Sequence, residues 1–178
     1  MPQLLALSLS IAVLGAIWTF LAVGPLAPYL AVWAGFLAWG CFFHSGADTQ
    51  ALIKTIAGCV YGAIVGWIAL LVIVHVPVAA LGAVWPAIVV GVFVFCLVIV
   101  ASVPQLSVVP ANVYGFAAVV AYTLSAKATG DLTASSFANP VILIIVSMVI
   151  GALFGYVSAQ VAHVLEHAPP RSGVTSAR

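Results

Sequence analysis

The pattern His-x-x-Glu-His occurs once, formed by His163, Glu166 and His167. Two histidines four residues apart lie on one face of a helix and can bind zinc, while the glutamate can act as a base, as in inverted zinc peptidases. The 11 residues that follow include no Asp, Glu, Cys or His to complete a ligand set. We therefore expect no metal, no cofactor and no enzymatic activity, with incidental surface metal binding as the weaker alternative. The pattern is interpreted as polar side chains in the last turn of a helix that leaves a membrane.

A second set of residues has the chemistry to line a path for a small solute. It combines aromatic side chains with hydrogen-bonding groups on two short apolar segments: Phe42, Phe43, His44, Asn112, Tyr122 and Thr123. Aromatic rings at a narrow point can set its width, and Asn or Thr side chains can replace the water around a solute. The alternative is that the aromatic residues anchor the chain at the headgroup level of a bilayer.

These residues belong to a chain that is too apolar for a water-soluble fold. Of its 178 residues, 66% are hydrophobic and 4% are charged, and the formal net charge is +1. A soluble domain has about a quarter charged residues, so we expect the lipid bilayer to be the solvent and a partner of this chain. Its few Lys and Arg residues form no cluster, which excludes nucleic acid as a partner because phosphate neutralisation needs clustered positive charge.

Apolar segments separated by Gly, Pro and polar residues predict six membrane helices, because each span must satisfy its backbone hydrogen bonds internally. The segments cover about residues 4–23, 29–43, 49–74, 84–103, 111–126 and 140–165. The second has 15 residues and reaches only about 22 Å at 1.5 Å per residue, less than the ~30 Å hydrocarbon layer. The fifth is short as well. The predicted fold is therefore all-α, an integral membrane helical bundle with short second and fifth segments.

The two halves of the sequence resemble each other. An offset of 80 residues places the second segment on the fifth, and an offset of 89 places the third on the sixth. Three spans per half is an odd number, so the second half must cross the membrane in the opposite direction. We predict an inverted 3+3 repeat with halves at residues 1–75 and 84–166, followed by a solvated tail at 167–178. Asp48 and Asp131 precede the two long segments and are interpreted as helix caps.

Small residues recur at every fourth position on the third and sixth segments. These two glycine stripes are Gly58, Gly62 and Gly66 on the third segment, and Ser147, Gly151 and Gly155 on the sixth. Helices in lipid associate where small residues let their backbones approach closely, so the stripes are interpreted as helix-packing surfaces. They could pack inside the bundle or form the contact of a homo-oligomer. A pore-lining role for the stripes is the less favoured alternative.

Three stretches carry a family resemblance: VWAGFL at residues 32–37 with the aromatic pair at 42–43, the stretch at 109–116, and GALFGY at 151–156. They resemble a family of small bacterial inner-membrane proteins classed as a domain of unknown function, over about residues 8–160. The resemblance implies a helical integral membrane fold in the bacterial cytoplasmic (inner) membrane. It carries no activity and no site residue over to this chain.

Basic residues give the only indication of how the chain is oriented. With the amino terminus inside, Lys54, Arg171 and Arg178 fall on the cytoplasmic side and Lys127 falls outside. We therefore expect a multi-pass protein with both termini in the cytoplasm.

These features predict a channel or facilitator for a small neutral solute or an anion, with its path between the two halves where the second and fifth segments meet. The uncharged lining disfavours cations, and the absence of acidic residues within the predicted spans disfavours coupled transport. The alternative is a non-transporting accessory or assembly subunit that binds partner helices through its glycine stripes. An intramembrane metalloenzyme, which would depend on His163, Glu166 and His167, is the third hypothesis.

Overall fold

The structure is a computed structural model that describes residues 1–167. This part of the chain contains six α-helices and no strand, which confirms the predicted all-α bundle. The helices are α1 (Gln3–Val23), α2 (Val32–His44), α3 (Thr49–His75), α4 (Val84–Ile99), α5 (Val109–Ser125) and α6 (Pro140–His167). The predicted tail after His167, with Arg171 and Arg178, lies outside the described residues.

Four of the helices are long and apolar enough to cross a bilayer: α1, α3, α6, and α4 with its 3-10 extension to Ser102. The other two are short, with 13 residues in α2 and 17 in α5. At 1.5 Å per residue these two helices reach about 20 Å and about 26 Å. The short second and fifth segments are therefore confirmed, and the helices mark the chain as a membrane protein.

The beginnings of the two longest helices are fixed by side chains, although not by the pair of residues expected. The Asp48 carboxylate accepts a hydrogen bond from the Ala51 amide at 2.7 Å and caps α3 as predicted. Asp131 does not cap α6, because it lies in a short 3-10 turn well before that helix begins. Asn139 takes this role instead, and its Oδ1 accepts from the Val141 amide at 3.1 Å.

Each short helix packs in parallel against the long helix of the other half. On α3, Gly58 lies against Ala111 of α5, and Gly66 lies against Val119 about two turns further along. On α6, Gly151 lies against the Gly35 backbone of α2. The pairs α3–α5 and α2–α6 are therefore the closest helix contacts in the bundle.

The two remaining helices each join one of these pairs in an antiparallel direction. The Ser10 hydroxyl of α1 donates to the Ser158 carbonyl of α6 at 2.7 Å. The Tyr61 hydroxyl of α3 donates to the Cys96 carbonyl of α4 at 3.1 Å. The bundle thus consists of two three-helix groups: a first group of α1, α2 and α6, and a second group of α3, α4 and α5.

Helix directions alternate along the chain, so the helix ends meet at two faces. We call one the terminal face, and it contains the ends at Gln3, His44, Thr49, Ile99, Val109 and His167. The six other helix ends form the opposite face. The inverted repeat itself stays a prediction; the reciprocal packing of each short helix on the long helix of the other half is the arrangement that such a repeat would have.

Small side chains fill the space between the two groups. The buried cluster there takes Ala34, Ala38 and Cys41 from α2, Cys59 and Ala63 from α3, Ala118 from α5 and Ala152 from α6. Larger residues of α6, Ile144 and Met148, complete it. The groups therefore meet through buried side chains, whereas the helices within each close pair touch through their backbones.

Candidate functional site

The structure does not bring the six predicted path residues together. Because α2 and α5 run in opposite directions, Phe42, Phe43 and His44 lie at the terminal face, while Tyr122 and Thr123 lie in the last turns of α5 toward the opposite face. The predicted residues of α2 and the last-turn residues of α5 therefore lie toward opposite faces, although the two helices do contact each other, and the shared path stays a prediction. Each of them packs mainly on a long helix, because the glycine contacts hold it there.

Two of these side chains are buried and make their contacts within the protein. Phe42 is fully buried, with its ring 5.3 Å from that of Phe43 and 6.2 Å from that of Tyr156 between centroids. The Thr123 hydroxyl donates to the Val119 carbonyl of its own helix at 2.7 Å. Phe42 offers a solute no polar group, and Thr123 has no free donor and offers only the lone pairs of a fully buried hydroxyl.

Asn112 differs from these residues, because it keeps one polar atom without a partner. Its Nδ2 donates to the Leu97 carbonyl at 3.3 Å and to the Leu106 carbonyl at 3.0 Å. Since both partners are acceptors, the amide orientation is fixed. The other amide atom, Oδ1, is buried and has no hydrogen-bond partner, and Asn112 as a whole has 0% exposure.

The break between α4 and α5 explains why an amide lies here. α4 continues as 3-10 turns at Val100–Ser102 and Pro104–Leu106 before α5 begins. Carbonyl groups near such a break lose their helical donors, and they must be satisfied within the protein at membrane depth. The Asn112 side chain supplies two N–H groups to these carbonyls and ties the end of α4 to the start of α5.

Gly58 of the first glycine stripe makes room for this amide. A Cβ atom at Gly58 would lie 2.7 Å from Asn112 Oδ1 and 2.6 Å from the Ala111 Cβ, both too close for a real contact. Oδ1 therefore lies directly over the glycine. Gly58 is the tenth of the 27 residues of α3, a helix long enough to cross a bilayer, so this oxygen lies about a third of the way along that helix.

A cleft on the terminal face lies about one helical turn from Gly58, and neither Gly58 nor Asn112 is among its lining residues. This entrance cleft has a volume of about 240 Å³, and its lining residues are Gln50, Ile53, Lys54, Pro104 and Gln105. On α3 the residues Gln50, Lys54 and Gly58 are four apart, so they lie on one face of the helix. One helical turn, about 6 Å, separates Lys54 from Gly58. The entrance cleft and the unpartnered Asn112 oxygen together form the candidate site.

Sequence reasoning selected Asn112 for solute contact but missed both glutamines of the entrance cleft. Gln50 continues the four-residue spacing of Gly58, Gly62 and Gly66 toward the surface, and this spacing could have identified it. Gln105 had no such indication, because only the fold brings the α4–α5 connection against α3. Lys54, interpreted from sequence as a topology anchor, lines the same cleft.

Both glycine stripes face inside the chain. Gly62 lies against the Asn112 carbonyl and Gly66 against Val119, so the first stripe is covered by α5. The second is covered by α2: the Ser147 hydroxyl accepts from the Ala31 amide at 2.8 Å, and Gly151 and Gly155 lie against Gly35 and Trp39. Helices of the same chain therefore cover both stripes, and a partner helix would need a different surface. The homo-oligomer contact would need a different surface for the same reason.

The His-x-x-Glu-His pattern lies at the end of α6 on the terminal face. His163 and Glu166 line a second cleft of about 250 Å³ together with Gln3 and Phe43. Among residues 1–167, no three His, Cys, Asp or Glu side chains come together in a way that could hold a metal ion.

A protein-family model with the description "Protein of unknown function (DUF1097)" matches residues 8–163. The match covers most of the chain and includes the stretches at 32–37, 109–116 and 151–156 that carry the resemblance found in the sequence. No curated protein and no solved structure is similar enough to match the chain.

Proposed function

The chain belongs to the DUF1097 family of unknown function, and we propose that it is a facilitator for passage of a small uncharged solute across the bilayer. The observation that carries this proposal is the buried Asn112 Oδ1, which has no hydrogen-bond partner. A buried acceptor without a donor costs about 1–3 kcal/mol, so it needs a partner such as a water molecule or a solute. Its depth beside Gly58 supports a solute site within the membrane.

The chemistry of the free atom restricts the solute. Oδ1 is an acceptor, so the solute has to donate a hydrogen bond from an N–H or O–H group. An anion is disfavoured, because both donors of the amide are already used on Leu97 and Leu106. Lys54 at the entrance cleft supplies a donor for the carbonyl or hydroxyl oxygen of the same solute. Small amides and alcohols combine both groups.

The positions of the acidic residues favour passive transport of the solute over transport coupled to protons or sodium ions. Of the described acidic residues, Asp48 caps α3, Asp131 lies in a connection, and Glu166 lies in the last turn of α6. No carboxylate therefore lies in the middle of a described span, where a proton-coupled or sodium-coupled transporter would need it. The proposal assigns no chemical reaction to the chain.

Passage requires movement of the two three-helix groups, since small buried side chains close the space between them. The close pairs touch at the backbone of Gly62 and Gly151, so each group would move as a unit. Contacts between the groups are made by side chains such as Ala38 and Ala63. They would rearrange more easily than the backbone contacts within each close pair. Rocking of one group against the other is a general way for such bundles to open a central site.

The proposed location is a bacterial cytoplasmic membrane with the terminal face inside. The terminal face includes Lys54, whereas Lys127 lies beyond α5 near the opposite face. In the sequence Arg171 and Arg178 follow α6, which ends at the terminal face, and with Lys54 they give the excess of basic residues that is typical of a cytoplasmic side. A homo-oligomer also stays a proposal; α4, of which 11% of the span is buried, has the most uncovered surface for such a contact.

Solute flux into proteoliposomes tests the proposal. Purified protein would be reconstituted, and swelling or shrinking in urea, acetamide and glycerol would be followed by light scattering. The variant Gly58→Ala places a methyl group against Asn112 Oδ1 and the Ala111 Cβ, so it blocks the oxygen and also shifts the start of α5 away from α3. We expect it to lower the solute permeability roughly 3- to 10-fold, as loss of one hydrogen bond would.

Gly40→Ala is the matched control, because a Cβ at Gly40 would meet no atom within 4 Å. It should leave permeability unchanged, and thermal unfolding in detergent would show that both variants are folded. Permeability no higher than that of protein-free liposomes for all three solutes would contradict the proposal and favour a non-transporting subunit. An equal loss in Gly40→Ala would contradict the assignment of Asn112.

A further inference from the structure

The two histidines at the end of α6 have a geometry that the sequence could not give. His163 and His167 are one turn apart, and their ring centroids lie 4.3 Å from each other with a 34° tilt. Both side chains are exposed, so they are accessible from the aqueous phase at the terminal face. Two imidazoles at this spacing on a helix can bind one metal ion together.

A backbone contact orients one of the two rings. Nδ1 of His167 lies 2.9 Å from the His163 carbonyl oxygen. A carbonyl oxygen only accepts, so this contact is a hydrogen bond when Nδ1 carries the proton. In that tautomer the lone pair of a neutral imidazole is at Nε2 and is free to bind a metal. Metal-binding histidines commonly have their second nitrogen held by a backbone carbonyl in this way.

We propose that His163 and His167 form a two-imidazole site for a divalent late first-row transition metal such as Ni²⁺, Cu²⁺ or Zn²⁺. Imidazole nitrogen suits these ions, whereas Mg²⁺ and Ca²⁺ prefer oxygen ligands. No third His, Cys, Asp or Glu side chain converges with them among the described residues, so water fills the other coordination positions. Glu166 lines the adjacent cleft and adds a negative charge that attracts the cation.

Calorimetric titration with Ni²⁺ tests this site. The full chain would be purified in detergent, and its affinity tag would be removed, since a histidine tag would bind the same ion. We expect one Ni²⁺ per chain. His163→Ala and His167→Ala should each weaken binding roughly 10-fold or more, because each leaves a single imidazole. Excess Mg²⁺ should not compete.

His44→Ala and His75→Ala are the matched controls, since each removes an exposed histidine at another helix end. Both should bind Ni²⁺ as the unchanged chain does. Failure of the unchanged chain to bind Ni²⁺ would overturn the proposal, and so would equal affinity in His167→Ala. Because this site does not depend on solute flux, its failure would leave the proposed transport function untouched.

Discussion

At the scale of single residues, the bundle depends on positions where any side chain would be too large. Gly62 lies against the Asn112 carbonyl and the Phe116 amide, and Gly151 lies against the backbone of Gly35. Helices in lipid have no hydrophobic force between them, so close backbone contact supplies much of the attraction that holds them together. Glycine is the only residue that allows this approach at these two positions.

We predict that Gly62→Ala destabilises the protein by about 1–3 kcal/mol, the usual cost of overpacking. The new methyl group would lie inside the contact distance of the Asn112 carbonyl and push α5 away from α3. Thermal unfolding in detergent, followed by circular dichroism, would measure the effect as a lower Tm. Gly91→Ala on the exposed side of α4 is the control and should not lower the Tm, because its Cβ would meet nothing within 4 Å.

Equal Tm values for Gly62→Ala and Gly91→Ala would show that α3 and α5 are further apart than the structure places them.

At the scale of elements, the connection from α5 to α6 is fastened to the bundle rather than loose. The Leu132 carbonyl accepts from Trp67 Nε1 at 2.7 Å and from Asn139 Nδ2 at 2.9 Å. Asn139 Nδ2 also donates to the Ala134 carbonyl at 2.9 Å, while its Oδ1 caps α6. The Leu132 side chain is buried beneath these bonds. One amide thus fixes both the connection and the first turn of α6.

Replacing Asn139 with Ala should lower the free energy of local unfolding of this connection by about 1–3 kcal/mol. The buried carbonyls would lose a donor, and α6 would lose its cap. Hydrogen exchange measured by mass spectrometry should become faster over residues 126–141. The control is Ser136→Ala, which removes an exposed hydroxyl that only accepts from the Ala138 amide at 3.3 Å. If exchange rises as much in the control as in Asn139→Ala, the amide is not what holds the connection.

At the scale of the whole molecule, the units that pack together are not the two halves of the sequence. The short helix α2 packs on α6, and the short helix α5 packs on α3, so each three-helix group contains helices from both halves. Because each group takes helices from both halves, neither half forms a separate packed unit. In the transport function proposed above, these two groups rather than the halves are the bodies that would move.

Alternating helix directions predict which residues share a side of the membrane. In a chain whose three cysteines are replaced by alanine, single cysteines at Gln3 and Gln105 should react from the terminal face, and one at Gly130 from the opposite face. With a membrane-impermeant maleimide on intact bacterial cells, we expect labelling at Gly130 only. Gln3 and Gln105 should react after permeabilisation, as the excess of basic residues on the cytoplasmic side indicates.

Labelling of Gln3 and Gln105 from opposite sides would contradict the fold. If both are labelled on intact cells while Gly130 is protected, the fold holds and the cytoplasmic assignment of the terminal face is wrong.

The sequence by itself determined the membrane class, the six helices to within a few residues at most ends, the shortness of α2 and α5, and the cap at Asp48. These are local properties, because a backbone in lipid has to satisfy its own hydrogen bonds and because hydropathy marks each span. Only the tertiary structure decided which helix covers which, that Thr123 bonds its own helix, that Asn112 keeps a free oxygen, and that Gln105 and Lys54 line the same cleft. In a chain that is 66% hydrophobic, surfaces that face lipid and surfaces that face another helix have nearly the same composition. Partner choice therefore depends on shape at the glycine contacts, which hydropathy does not encode.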